Sequence, residues 1–215
     1  MKPSNIIISD ITKMKDGYCV GGWDTHERRM KRLMIDGKYF TKYQIPKYSS
    51  IIVMNAPFDE PRKYPHRTED VNIGYKSIKV QEFFEPGKQL ADRLRDSVSK
   101  DVQSIFNNKV KEKSWVARGT RCASLGAILI PAQNIEFKKD GDKLRAKITD
   151  QSNKEYSIAV SCKYIRDIYR KSKSTDKLNK MVSGAQYAHC RIGLARPYYM
   201  QENHCYLMLN GVFLY

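Results

Sequence analysis

The stretch from Ala188 to Leu214 constrains the fold most. Cys190, Ile192 and Leu194 alternate with Arg191, Gly193 and Ala195, which is the period-two pattern of a strand with one buried face. A second apolar run, Cys205–Leu214, follows the polar connection Arg196-Pro197 to Asn203-His204 and is interrupted by Asn210-Gly211. Two such runs predict a hairpin, and the Asn-Gly pair predicts a bulge or tight bend in its second strand. The hairpin is expected to close a small β-domain, so truncation inside it is expected to cost the fold. In this alternation Arg191 faces outward.

The pattern recurs upstream. Leu144, Ala146 and Ile148 alternate with Arg145, Lys147 and Thr149, and Tyr156, Ile158 and Val160 with Ser157, Ala159 and Ser161. Ser124–Ile130 and Gln133–Phe137 precede them, a short helix fits Lys163–Arg170, and Lys171–Lys180 reads as a Lys/Ser/Asn-rich loop. Three strands, a short helix and two strands is the element order of the five-stranded Greek-key barrel called the OB-fold.

In the first half, strands are predicted at Asn5–Ile11, Gly17–Trp23, Arg28–Ile35, Ser50–Met54 and Val71–Val80, with turn signals at Asp16-Gly17 and Asp36-Gly37. Gly21-Gly22 marks a bent strand or a close backbone approach, and Glu85-Pro86-Gly87 ends the unit. Between the halves, Leu90, Leu94, Val98, Val102 and Ile105/Phe106 recur at steps of three and four, which predicts one long helix over about Lys88–Val110. No second helix precedes it at helix-turn-helix spacing, so it reads as a plug or bridge rather than a recognition helix. The expected fold class is mainly β, with two tandem OB-like small β-barrels (1–86 and 113–215) joined by one long α-helix within 87–112.

Charge says what such a chain meets. The sequence has 39 Lys and Arg against 23 Asp and Glu, a net charge of +16. A net charge of about 2–8 already keeps a small domain soluble, so the surplus points to a polyanionic partner. It is uneven: residues 1–85 carry +4 and residues 86–215 carry +12. The five cysteines include no CxxC pair, which fits a reducing compartment. Ile6-Ile7-Ile8 is too short for a secretory signal, and no run approaches a membrane span. A cytoplasmic protein with no membrane contact is expected.

Four motifs then carry a resemblance. They are Tyr18-Cys19-Val20-Gly21-Gly22 followed by Arg32-Leu33; Pro65-His66-Arg67-Thr68-Glu69-Asp70-Val71; Ser124-Leu125-Gly126-Ala127-Ile128; and Arg191-Ile192-Gly193-Leu194-Ala195-Arg196-Pro197 with Leu209-Asn210-Gly211-Val212-Phe213. In this order the chain resembles the dual OB-containing domain proteins of prokaryotic genomes and their mobile elements. It departs from their pattern at Gly22-Trp23 and at Gly193, where a more strand-like residue is usual. The resemblance implies two OB barrels in tandem and a role in recognising or processing nucleic acid, often beside defence or modification genes. It implies no catalytic residue.

OB-folds hold single strands with a positive groove and stacking aromatic rings. The candidates here are Arg145, Lys147 and Arg191 on strands, Arg196 with Tyr198 and Tyr199 in the connection before the last strand, and Arg118 and Arg121 around Gly119-Thr120. The two tyrosines either stack on bases or pack beneath the loop. Lys138, Lys139, Lys171, Lys173, Lys177 and Lys180 add loop charge. In the first half, Arg28-Arg29 and Lys31-Arg32 form a basic cluster on one strand. Its Arg28 and Arg32 either meet a phosphate backbone or guard a sheet edge.

Other chemistries find less support. His66 with Glu69-Asp70 suggests an acid/base or metal group, but adjacent carboxylates on a strand point to opposite faces. His189-Cys190 and His204-Cys205 fail as a zinc site for the same reason. No GxxxxGK[ST] loop is present. No catalytic residue, metal or cofactor is assigned. The expected function is binding of DNA or RNA, single-stranded or distorted, as a non-catalytic accessory or sensing component with other subunits. The alternatives are a protein-interaction subunit docking an acidic partner and a small nucleic-acid-processing enzyme.

Overall fold

Each half of the chain folds around a mixed β-sheet, and the two lobes share a buried junction. The computed structural model describes residues 2–35, 38–41, 47–57, 68–197 and 202–215. The first lobe contains β1 (Lys2–Lys13), β2 (Gly17–Asp24), β3 (Arg29–Ile35), β4 (Phe40–Thr41), β5 (Ser49–Pro57), β6 (Asp70–Ile73) and β7 (Lys79–Phe83). β1 is long enough to pair twice, through Lys2–Ile7 with β5 and through Ile6–Lys13 with β2. β2 pairs with β3, β3 runs parallel to β6, and β6 pairs with β5, so the path of pairings returns to β1. The strand expected over Val71–Val80 divides into β6 and β7 around a 3-10 turn at Tyr75–Ser77. The Asp36-Gly37 turn signal lies outside the described residues.

The connection is not the long helix its periodicity predicts. It forms α1 (Lys88–Arg93), β8 (Val98–Ser99) and α2 (Val102–Ile105). Leu90, Leu94, Val102, Ile105 and Phe106 are buried as expected and Val98 is half-buried, but the buried ones serve two cores. Leu90, Ala91 and Leu94 join the core of the first lobe, whereas Val102, Ile105 and Phe106 join that of the second. A straight helix cannot present one stripe to two cores. The chain instead extends at β8, which lies parallel to the strand containing Ala127 and Ile128. It restarts at Asp101, whose carboxylate accepts from the Ser104 N–H at 2.7 Å.

The second lobe contains β9 (Trp115–Ala117), β10 (Leu125–Pro131), β11 (Ile135–Asp140), β12 (Lys143–Thr149), β13 (Glu155–Val160), α3 (Lys163–Ser172), α4 (Asp176–Ser183), β14 (Tyr187–Leu194) and β15 (His204–Leu214). Its strands lie in the order β11-β12-β13-β15-β14-β10, with β13 parallel to β15 and only a 3-10 turn between β10 and β11. The loop expected over Lys171–Lys180 is partly α4, because Leu178 and Val182, four residues apart, both reach the core. From α4, Asn179 accepts from the Phe137 N–H at 2.8 Å and donates to its carbonyl at 3.0 Å. That contact satisfies the open edge of β11. Among the described residues no helix is long and apolar enough to cross a membrane.

Two bulges join the lobes. Ser9 is the extra residue of β1 against β2, and Asn210 is the extra residue of β15 against β14, at the predicted Asn-Gly pair. A side chain at Gly211 would lie 2.9 Å from the Ser9 carbonyl oxygen, so β1 and β15 approach closely only with glycine there. Beside this contact Arg191 is 0% exposed. Its Nε and Nη2 lie 3.3 Å from Asp10 Oδ2, Nη1 donates to Ser97 Oγ at 2.7 Å, and Nη2 also contacts Met30 Sδ. The expectation that Arg191 faces outward is therefore overturned. Strand alternation does put it on the face away from its own core, but that face is covered by the first lobe.

Arg32 is likewise buried rather than available to a phosphate backbone. It pairs with Asp70 at 2.7 Å and donates to Ser124 Oγ of the other lobe at 3.0 Å. Its neighbour Lys31, on the opposite face of β3, is buried against Asp24 at 2.7 Å and bonds Ser4 Oγ at 2.9 Å. Both faces of this basic strand are interior because a carboxylate waits on each side. The expectation that Glu69 and Asp70 point apart as strand neighbours does not hold, because Glu69 precedes β6 and both carboxylates join one network around Arg32 and Ser124. Asp70 meets Arg32, and Glu69 accepts from the Ser124 N–H at 2.7 Å.

Two predictions follow from this junction. Arg191→Ala strands the Asp10 carboxylate in the interior and is expected to cost about 3–5 kcal/mol of stability in urea unfolding. His189 packs on Phe213 with ring centroids 5.8 Å apart. Burial, with the Arg191 charge adding to it, pushes its imidazole down from 6.5 to about 3. The unfolded chain therefore takes up this proton first. Stability is full above about pH 6.5 and falls as pH drops toward 3, by up to about 1.4 kcal/mol per pH unit. His189→Gln should flatten that acid limb in urea titrations run between pH 4 and 7.

Candidate functional site

Positive charge without a partner collects in a groove on the second lobe and in a cleft between the lobes. The groove lies between α3 and the β11–β12 turn. In α3, Ile165 is buried while Tyr164, Ile168 and Tyr169 pack against the core. Arg166, Arg170 and Lys173 therefore line up on the other side at steps of four and three. Lys173 ends the helix in the left-handed region (φ 54°), and cations in the last turn suit the helix dipole. Opposite them stand Lys139, Asp142 and Lys143, carried by a tight turn at Gly141 (φ 56°). Leu144, Ala159 and Val160 form the floor, and the groove measures about 560 Å³.

Ala159, Val160 and Arg166 also line the cleft, so the two concavities adjoin. The cleft adds Lys13 and Lys15, carried into the turn after β1, where the Met14 N–H donates to the Gly17 carbonyl at 2.8 Å. It also adds Arg196, whose guanidinium lies 5.1 Å from the centroid of the Tyr39 ring and donates to its hydroxyl at 2.5 Å. Burial, against the opposing charges of Arg196 and Arg32, raises the Tyr39 phenol. It therefore remains protonated at neutral pH.

Among the described residues no carboxylate lines the cleft, and Asp142 is the one acid lining the groove. Among the described residues Lys13, Lys15, Lys139, Lys143, Arg166 and Lys173 make no ion pair, while Arg170 makes a long one to Asp167 at 3.4 Å. In a concavity with low-dielectric walls, unmatched cations concentrate the field on an incoming anion.

The residues singled out from sequence are distributed differently. Arg145 and Lys147 do project from the outer face of β12, but each is neutralised. Arg145 pairs with Asp140 at 2.7 Å and donates to the Ser157 carbonyl at 3.3 Å, and Lys147 pairs with Glu155 at 2.9 Å. Arg28 is exposed and pairs with Asp96 at 3.4 Å. Arg118 and Arg121 are exposed in a loop that does not line the groove, and the Arg118 N–H donates to the Asn203 carbonyl at 2.9 Å. Arg191 and Arg32 are interior. Of the set, Arg196 reaches the cleft, and Arg32, although buried in its pair with Asp70, also contributes to the cleft wall. Tyr198, Tyr199 and His66 lie outside the described residues.

Sequence reasoning missed Arg166, Arg170, Lys143, Lys13, Lys15 and Tyr39. The α3 signal was available, because two arginines four apart sit on a predicted amphipathic helix. Nothing local marks Lys13, Lys15 or Tyr39, which reach the cleft only when the lobes dock. Among the described residues no group of three or more His, Cys, Asp or Glu side chains is placed to hold a metal. His189 and His204 stand at opposite ends of the β14–β15 pair, since His189 is opposite Phe213.

No family model and no curated protein matches the chain. Among solved structures it is similar to a murine DNA-binding protein bound with double-stranded DNA, at 9% identity and a TM-score of 0.37, over 100% of this chain and 97% of that one. A likeness this slight carries no weight for fold or function.

Proposed function

We propose that this protein binds single-stranded or distorted nucleic acid along the adjoining groove and cleft, as a non-catalytic recognition component of a larger system. The observation that carries the proposal is the set of unmatched cations across α3, the β11–β12 turn, the β1–β2 turn and Arg196. A backbone with regularly spaced phosphates is the common polymer that satisfies such a row of charges. Tyr39 and Tyr169 line the two concavities and offer ring surface beside the cations.

Both lobes are read as OB-like barrels. That reading is supported by their shared pairing order, a long or interrupted first strand that pairs with both the second and the fourth, and a third strand parallel to the fifth. The β11–β12 and β14–β15 connections correspond to the loops through which OB-folds hold oligonucleotides. They contribute Lys139, Lys143 and Arg196 here. The resemblance to dual OB-containing proteins of defence and modification loci supports the same reading and rests on the sequence motifs.

The test is fluorescence anisotropy with labelled single-stranded DNA, RNA and duplex DNA at several salt concentrations. A strand neutralising about five of these cations should give log K falling with log salt at a slope near −3.5. Arg166→Glu with Lys173→Glu should weaken single-strand binding more than about tenfold and make the slope shallower by roughly 1.4. Arg145→Glu with Lys147→Glu should act less, because both side chains are already paired. Equal loss in the two variants would remove the groove from the proposal. Tighter competition by polyglutamate than by oligonucleotide would assign the charge to an acidic protein instead.

A further inference from the structure

The inter-lobe cleft differs from the groove that adjoins it. The groove is an open cationic channel, whereas the cleft has a cationic rim over an apolar floor. Leu125, Leu194 and Val160 are buried beneath it, Met208 is half-buried, and the volume is about 440 Å³. That is the size and lining of a site for one small molecule, not for a helical stack of paired bases. At its base sits Asn210, the extra residue of the β15 bulge, 6% exposed. Its Oδ1 accepts from Ser161 Oγ at 2.8 Å, which fixes the amide, while Nδ2 makes no hydrogen bond among the described residues. Gly193 makes room for it, since a side chain there would lie 2.1 Å from Nδ2. The glycine that departs from the strand pattern thus accommodates an amide held at its oxygen, with its nitrogen left without a partner among the described residues. This nitrogen is not sealed in the interior, so it is open to whatever enters the cleft and can donate to it.

We infer that the cleft receives one unpaired nucleotide of the bound strand, with its base on the Leu125–Leu194–Met208 floor, an acceptor of the base edge on Asn210 Nδ2, and its phosphate between Arg166, Arg196 and Lys13. The inference rests on the reading of the groove as a nucleic-acid interface. It adds that recognition depends on an unstacked base, as in sites that read a nucleotide out of the helix. A polymer bound by charge alone needs no such pocket, and neither the apolar floor nor the free amide would then have a role.

The experiment is calorimetric titration of the full chain with AMP, CMP, GMP, UMP and ribose 5-phosphate at low salt, beside anisotropy with a labelled single-stranded oligonucleotide. At least one mononucleotide should bind roughly tenfold tighter than ribose 5-phosphate, the share that stacking of one base contributes. Asn210→Ala should remove about tenfold of that affinity. It leaves Ser161 Oγ bonded to the Leu209 carbonyl at 3.0 Å, so no new unpaired group is created there. Ala195→Trp fills the cleft from its half-exposed edge and should abolish mononucleotide binding while weakening the oligonucleotide less. Circular dichroism of both variants separates these losses from misfolding. Ribose 5-phosphate binding as tightly as every nucleotide would reduce the cleft to a phosphate site and overturn the inference. Oligonucleotide binding without mononucleotide binding would overturn it too, yet leave the groove reading intact. Failure of both ligands would remove the groove reading with it.

Discussion

The guanidinium of Arg191 has left water completely, and the carboxylate that meets it, Asp10, belongs to the other lobe. Desolvating an ion pair is expensive, and such a pair tolerates few alternative geometries. Here its position is set by two bulges, Ser9 on β1 and Asn210 on β15, which bring the strands close enough for Gly211 to touch the Ser9 carbonyl. Arg32, Asp70, Glu69 and Ser124 tie the lobes a second time. Phe213 and Leu125, from the strands of the second lobe, complete the first lobe's core. The cleft exists only because these contacts fix one lobe against the other. Lys13 and Lys15 come from one side of it and Arg166 and Arg196 from the other.

The junction also decides which charges are left for a partner. Lys31, Arg32 and Arg191 are spent inside the protein on Asp24, Asp70 and Asp10. Arg145 and Lys147 are half-spent at the surface on Asp140 and Glu155. Among the described residues, the cations that α3 and the two turns present to the groove and cleft meet only Asp142 in the groove and, from Arg170, a long pair to Asp167. Net charge says only that positive charge is in excess, while the distribution of carboxylates says where on the surface that charge stays unmatched. The same bulge that seats Arg191 also places Asn210 at the cleft, so the fold's main joint and the polar base of the cleft are one piece of backbone.

Much of the architecture was legible in the chain. Alternation at Leu144–Thr149, Tyr156–Ser161 and Cys190–Leu194 gave β12, β13 and β14, and the Asn-Gly pair marked the bulge in β15. These signals are local, because strand faces alternate whatever lies beyond them. The segment 88–110 misled for the converse reason. Its spacing correctly named Leu90, Leu94, Val102 and Ile105 as buried, but helical periodicity does not say that one stripe feeds two cores. The candidate site was legible in part. Arg196 and the basic loops were visible, and α3 carried its arginines at helical spacing, while Tyr39 and Lys15 carried no local mark.

By itself, the sequence determined the strand faces, the excess of positive charge in the second half and the bulge at Asn210-Gly211, since each depends on neighbours a few residues away. The tertiary structure decided what the outward faces look upon. Arg191 and Arg145 are both the polar members of an alternating strand, yet one is interior and the other reaches solvent. The difference is whether another lobe, with an aspartate in place, covers that face. Such coverage is a long-range contact between residues 10 and 191, and no periodicity in the chain encodes it.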